Sequence, residues 1–133
     1  MLSYKTITAI QVLHVLHDAE CRLTIANVKL RARLSGVSVG QTVHQLARCG
    51  WLDTDSRSRY SMTEHARNRT LYDLVLAMDG TIILGTNVDP NYVTFWGAEA
   101  KESIPHTISF NEGIKEQFVN MLRSVTIMEL ITK

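Results

Sequence analysis

The sequence predicts a mainly α-helical fold with one small β-hairpin and a helix set apart near the C-terminal end. Three observations predict it. Apolar residues recur at helical spacing along most of the chain. Two short strand-like runs, Trp51 to Thr54 and Arg59 to Met62, flank the turn-forming stretch Asp55-Ser56-Arg57-Ser58. Ser or Thr precedes several of the periodic stretches and Gly follows several, as helix caps require.

Tyr4 to Glu20 reads as the first helix, with Ile7, Ile10, Val12, Leu13, Val15 and Leu16 as its apolar face and Thr8, Gln11, His14 and Asp18 as its polar stripe. That face is wide for a helix with one neighbour and can serve both a core and a partner chain. Thr24 can cap a second helix running to about Leu34, with Ile25, Val28 and Ala32 inward. Ser35 is placed to cap a third, ending at Cys49 before Gly50. The two strand-like runs come next, then a fourth helix opened by Thr70-Leu71-Tyr72-Asp73, a capping-box variant, and closed by Gly80, with Leu71, Leu74, Val75 and Met78 inward. Gly85 to Phe110 reads as an irregular loop with an aromatic cluster at Tyr92, Phe95 and Trp96, expected to cap the core, with an effector pocket as the alternative. From about Asn111 a last long helix carries Ile114, Phe118, Met121, Leu122 and Val125 on one stripe, and Thr126-Ile127-Met128-Glu129 restarts a short helix. Helix, helix–turn–helix and hairpin in that order make a winged helix.

In the third helix Val39, Val43 and Leu46 fall at i, i+4 and i+7 and must face the core. The opposite face is then expected to present Ser38, Gln41, Thr42, Gln45 and Arg48. It is rich in amides and hydroxyls and free of acid, the chemistry that reads base edges, whereas a merely solubilising face mixes in Glu and Lys. Arg57 and Arg59 at the hairpin tip are placed to meet phosphates or enter a minor groove. Lys5 and Ser35 complete the expected DNA-binding set. Charge is distributed to match: the net +1 divides into roughly +5 over residues 1–70 and roughly −4 over 71–133, so the first half is the one expected to meet a polyanion.

At 133 residues and 45% hydrophobic, the chain is expected to form a single domain over 1–133, with a DNA-binding part at about 1–84, the loop at about 85–110 and a dimerisation helix at about 111–133. No apolar run approaches the length of a membrane span and no signal region opens the chain, so a cytoplasmic location without membrane association is expected. Cys21 and Cys49 are too few for a cysteine-only zinc site. They are expected to close the first and third helices, too far apart for a disulfide. His14, His17 and Cys21 lie at helical spacing but form an incomplete ligand set, and Asp53 and Asp55 lack a metal-loop pattern, so no metal is expected. No catalytic order of Ser, His and Asp and no Gly-rich phosphate loop is present, so no enzyme is expected.

Four stretches resemble, in register, the Rrf-two family of bacterial winged-helix transcriptional regulators, whose members include the iron–sulfur cluster regulator, the nitric-oxide-sensing repressor and the cysteine-metabolism repressor. "YKTITAIQVLHVL" resembles the family's first helix. "LSGVSVGQTVHQLARCGWL" resembles its recognition helix at Leu34, Ser35, Val39, Val43, Leu46, Gly50 and Leu52. "TLYDLVLAMDG" resembles the segment after the wing, and "FVNMLRSVTIMEL" resembles the dimer helix with the Thr-Leu-x-x-Leu segment at its end. The sequence departs from the family pattern twice. The wing "DSRSRY" keeps Arg and Tyr60 but has none of the family's glycines, and the three closely spaced cysteines of the cluster-binding members have no counterpart between Gly85 and Phe110. The resemblance therefore implies a regulator of the cluster-free type with no cofactor.

Two functions from different classes are expected. The first is a homodimeric, sequence-specific DNA-binding transcriptional regulator, expected to repress. It would join through Ile114, Phe118, Met121, Leu122 and Val125 with the first helix and bind a palindromic site on double-stranded DNA. An effector or partner protein is left open. The second is a protein-interaction module on a winged-helix scaffold whose DNA role has degenerated. The reading face favours the first, and the missing wing glycines favour the second.

Overall fold

The computed structural model of the chain describes residues 2–19, 21–34, 37–80 and 113–132. The elements in chain order are α1 (Tyr4–Asp18), α2 (Ile25–Ala32), α3 (Val37–Arg48), β1 (Leu52–Thr54), β2 (Tyr60–Met62), α4 (Glu64–Arg67), α5 (Leu71–Asp79), a helix over 113–124 (α6) and α7 (Ile127–Ile131). The result is mostly helical with a two-stranded antiparallel sheet, a winged helix as the sequence predicts.

α1 occupies the centre. It packs against α2, α3, α5, α7 and β2, and this enclosure decides which of its side chains are buried. Ala9, Val12, Leu13 and Leu16 enter the core as their spacing requires. Thr6 and Thr8 are buried with them, while Ile7 is 43% exposed. The expected polar stripe is corrected at Thr8. A helix surrounded on several sides has little solvent face, and position rather than polarity decides what is buried. The helix starts on Ser3, whose Oγ accepts from the Thr6 amide at 3.1 Å. It ends at Asp18, two residues before the predicted end, so Cys21 lies beyond it.

α2 begins on Thr24 as predicted but stops at Ala32, because Arg33 turns left-handed at φ 56, ψ 36. The Leu34 amide then reaches back to the Lys29 carbonyl at 3.0 Å, a closure that usually employs glycine. α3 buries Val39, Val43 and Leu46 as the spacing demands. It gives way to Gly50 at φ 81, which lets the Trp51 amide close on the Leu46 carbonyl at 2.9 Å. β1 and β2 then pair in the register Leu52↔Met62, Asp53↔Ser61, Thr54↔Tyr60. Trp51 and Arg59, assigned to the strands from sequence, fall just outside them. Leu23 adds a third, one-residue rung by exchanging both backbone bonds with Tyr60 (2.7 and 3.0 Å), which ties the wing to the start of α2. His65 lies in the four-residue α4, capped by Thr63.

α5 and α7 both open with complete capping boxes, Thr70 with Asp73 and Thr126 with Glu129. The two cap threonines also face each other across an antiparallel bridge. The Leu71 amide donates to the Val125 carbonyl (2.8 Å), and the Ile127 amide to the Arg69 carbonyl (2.9 Å). The C-terminal segment is thereby fastened by main-chain bonds to the wing side of the domain, and α7 sends Ile127 and Ile131 into the core beside α1. The stripe predicted for the last helix divides accordingly. Leu122 is 1% exposed in the chain's own core, Phe118 and Val125 pack against that core, and Met121 is 53% exposed. Val125 belongs to the bridge rather than to α6. The loop expected over 85–110, with its aromatic cluster, lies outside the described residues.

Replacing Thr126 by Ala removes an N-cap and should lower stability by about 1 kcal/mol. Urea unfolding should show a lower midpoint at unchanged slope.

Candidate nucleic-acid interface

The apolar stripe of α3 determines what the helix can show to solvent. With Val39, Val43 and Leu46 inward, the side chains that reach outward are Gln41, His44 and Arg48, all exposed, with Ser38 half-buried beside them. Two predicted reading residues are corrected. Thr42 is only 5% exposed, because one helical step brings it to the edge of the buried stripe. Gln45 turns toward the end of α5, where its Nε2 donates to the Ala77 carbonyl (2.8 Å) and the Met78 carbonyl (3.1 Å). Those carbonyls are at the C-terminal end of a helix and need donors. The amide of Gln45 is therefore a structural tie and is not free to meet a base. His44 takes the place on the outward face expected for Gln45, with its ring 6.5 Å from that of Tyr60. Its position, three residues after Gln41 and four before Arg48, is the signal that could have found it.

Beside this face lies a groove of about 860 Å³ between the start of α1, the length of α3 and the end of α5. It gathers Lys5, Ser38, Gln41, Thr42, Gln45 and Arg48, six of the residues singled out from sequence, together with Tyr4, Thr8, His44, Ala47 and Met78. Among the described residues no carboxylate lines it. The end of α5 is also fixed to α1: Ser3 Oγ donates to the Asp79 carboxylate (2.7 and 2.9 Å), as does Thr6 Oγ1 (3.3 Å). A carboxylate at a helix start is favourably placed against the helix dipole. Asp79 and Gln45 together hold α1, α3 and α5 in one arrangement. Ser35 lies outside the described residues.

At the wing tip, one side chain does the work of the missing glycines. Asp55 Oδ1 accepts from the Arg57 amide (2.9 Å) and the Arg59 amide (3.0 Å), and Oδ2 accepts from Arg59 Nε (2.9 Å). Ser58 takes the left-handed conformation, φ 57, that a glycine would supply. These bonds, the Arg59 amide foremost, hold the Asp55 carboxyl below its ordinary pKa. Arg59 is thus tied to Asp55 within the turn, and Arg57 is the exposed cation of the tip. Lower on the wing, Arg22 pairs with Asp53 at 3.0 Å. Exposed Arg31 and Arg33, at the end of α2, are further cations of the helix–turn–helix that the sequence pattern does not single out.

Other chemistry does not converge. His14 pairs with Asp18 at 3.3 Å on the exposed side of α1. Cys21 and Cys49 are both exposed, free thiols. Among the described residues no three metal-capable side chains form a group, and no helix is long and apolar enough to cross a membrane.

The same architecture occurs in solved transcription regulators. The chain superposes on oxidised Staphylococcus aureus CymR with a TM-score of 0.66 at 14% identity, covering 100% of this chain and 97% of that one. It superposes on T. potens IscR with a TM-score of 0.69 at 17% identity, covering 99% and 86%. For B. subtilis CymR (YrzC), described as the global cysteine regulator of that organism, the values are 0.63 and 17%, covering 100% and 97%. At such identities the likeness is one of fold. No protein-family model matches the sequence, and no curated protein matches it.

The wing geometry makes a pH prediction. A carboxyl whose folded pKa is depressed contributes stability above its unfolded pKa, about 3.9 for Asp, and that contribution is lost as pH falls through the lower folded value. The Arg57 and Arg59 amide resonances should therefore titrate together with a midpoint below about 3.9. Asp55→Ala should remove that titration and speed hydrogen exchange at both amides.

Proposed function

We propose that this chain is a cluster-free, homodimeric DNA-binding transcription regulator of the Rrf-two family, which represses by occupying the DNA it reads. The observation that carries the reading is the acid-free outward face of α3, with Gln41, His44 and Arg48 exposed side by side and a wing carrying Arg57 beyond it. Amide, imidazole and guanidinium groups are suited to base edges in a major groove, and an exposed arginine to a phosphate or a narrow minor groove. The regulators of the same fold support it at the level of architecture. Cluster-free status is supported by the sequence, whose cysteines are Cys21 and Cys49 alone.

Dimerisation is supported by apolar surface in the places expected for it: Met121 on α6 and Ile7 on α1 are exposed, and Ile114 and Phe118 are half-buried. A two-fold pair would present two α3 helices to a palindrome with half-sites about 34 Å apart or a multiple of that. The competing reading, an interaction module with a degenerate wing, rests on the missing glycines; the turn closes without them, on Asp55 and Ser58.

The direct experiment is a gel shift with the DNA upstream of the protein's own gene, together with light scattering. A retarded, competitor-resistant complex and a dimer of roughly 30 kDa, twice the 15.0 kDa chain, are expected. A monomer at micromolar concentration would remove the dimer from the proposal. Gln41→Ala should cost about 1–3 kcal/mol on the cognate site and little on random DNA. Arg57→Ala should weaken both alike and reduce the salt slope by about one. Gln45→Ala, in contrast, should lower stability, because it leaves the Ala77 and Met78 carbonyls short of a donor.

A further inference from the structure

We infer that Arg33, just past the end of α2, holds a phosphate of the DNA backbone beside the groove that α3 enters. The inference rests on the DNA-binding reading above and adds a contact to it. It starts from the backbone. Arg33 is left-handed, at φ 56 and ψ 36. Its amide closes on the Leu30 carbonyl at 3.3 Å, and the Leu34 amide on the Lys29 carbonyl at 3.0 Å. These are the paired bonds of a helix end that glycine completes with least strain. After α3 and α5 the left-handed position falls on Gly50 and Gly80. After α2 it falls on a long charged side chain, and an unfavourable angle kept on such a residue points to what the side chain does.

Among the described residues the arginines fall into two groups. Arg22, Arg59, Arg67 and Arg69 each meet an acid or a histidine, and Arg123 lies over an aromatic ring. Arg31, Arg33, Arg48 and Arg57 have no such partner there, and all four are exposed on the helix–turn–helix or the wing. Arg48 and Arg57 already belong to the DNA face. Arg31 has an ordinary place, in the last turn of α2, where the helix dipole favours a cation. Arg33 lies past that turn. Its aliphatic stem does not shield the neighbouring Leu30 either, which stays 77% exposed. Arg33 precedes Val37, the first residue of α3, by four positions, so their Cα atoms are no more than about 14 Å apart. A major groove is about 12 Å wide. With the start of α3 in that groove, Arg33 is within side-chain reach of the phosphates along its edge, and a guanidinium can grip a phosphate through two parallel bonds. Phosphates are alike at every base pair, so this contact adds affinity and register without base preference.

The test compares the full chain with Arg33→Gly and Arg33→Lys in DNA-binding titrations over a range of salt, on the DNA upstream of its gene and on random duplex. Arg33→Gly should raise the melting temperature, since glycine accepts the left-handed angle. It should also weaken binding to both DNAs about fivefold near physiological salt and lower the salt slope by about one, the share of one phosphate. Arg33→Lys keeps both the charge and the strained angle, so it should keep the wild-type salt slope and melting temperature. A residue that only closes α2 would move stability and binding in the same direction; here they move in opposite directions. An unchanged salt slope in Arg33→Gly, with wild-type DNA binding intact, would overturn the contact and leave the DNA-binding reading standing. A lowered melting temperature in Arg33→Gly would show that the fold itself uses this side chain and would overturn it too, as would a slope lost equally in Arg33→Lys. Conversion of a wild-type dimer to a monomer in Arg33→Gly, with the salt slope intact, would place Arg33 against a second copy of the chain and would likewise overturn it. Failure of the wild-type chain to bind any DNA would overturn the DNA-binding reading itself, and the contact with it.

Discussion

The enclosure of α1 is the constraint on which the other features depend. Among the described residues α2, α3, α5, α7 and β2 pack against it, so its small side chains near the N-terminus are buried irrespective of polarity, and the hydroxyls among them need partners inside the protein. Thr6 finds one in the Ser3–Asp79 clasp, and Thr8 finds none among the described residues. The same enclosure directs the α3 stripe of Val39, Val43 and Leu46 toward α1, since these three complete the core around it. Once the stripe is committed, helical geometry leaves Gln41, His44 and Arg48 as the outward set. The chemistry of the outer surface is thus decided by packing on the opposite side of the same helix.

Features written in local sequence were legible in it. Thr70 with Asp73, Thr126 with Glu129, Gly50 and Gly80 each mark a helix end through backbone requirements that hold in any tertiary setting. The buried faces of α3 and α5 could be read for the same reason. What could not be read depended on a distant partner. Gln45 looks like a reading residue until the carbonyls of Ala77 and Met78, 32 and 33 residues away, are beside it. Thr42 and Thr8 are hydroxyl side chains buried by neighbours that no local pattern names. His44 reads as an exposed or edge residue of its helix, and its spacing from Gln41 and Arg48 places it with them on the outward face. The four residues of α4 are too short for periodicity to register.

The wing shows how one geometry can be reached by different chemistry. Glycines close a turn by accepting backbone angles that other residues resist. Here a carboxylate gathers two amides and a guanidinium, and Ser58 bears the strained angle. The substitution changes the electrostatics of the tip as well as its shape. Asp55 offsets Arg59, so one net positive charge, that of Arg57, faces outward where two arginines stand in the sequence. A tip of this kind contributes less long-range attraction and relies more on the fit of a single side chain.

The paired caps at Thr70 and Thr126 bear on how such a fold can drift in sequence. The junction holding the C-terminal segment consists of main-chain amides and carbonyls, and only the two cap threonines and their acidic partners have side chains that matter to it. Main-chain groups are the same for nearly every amino acid, so most substitutions around the junction leave its bonds intact. An architecture anchored this way can keep its shape while surrounding residues are replaced many times over.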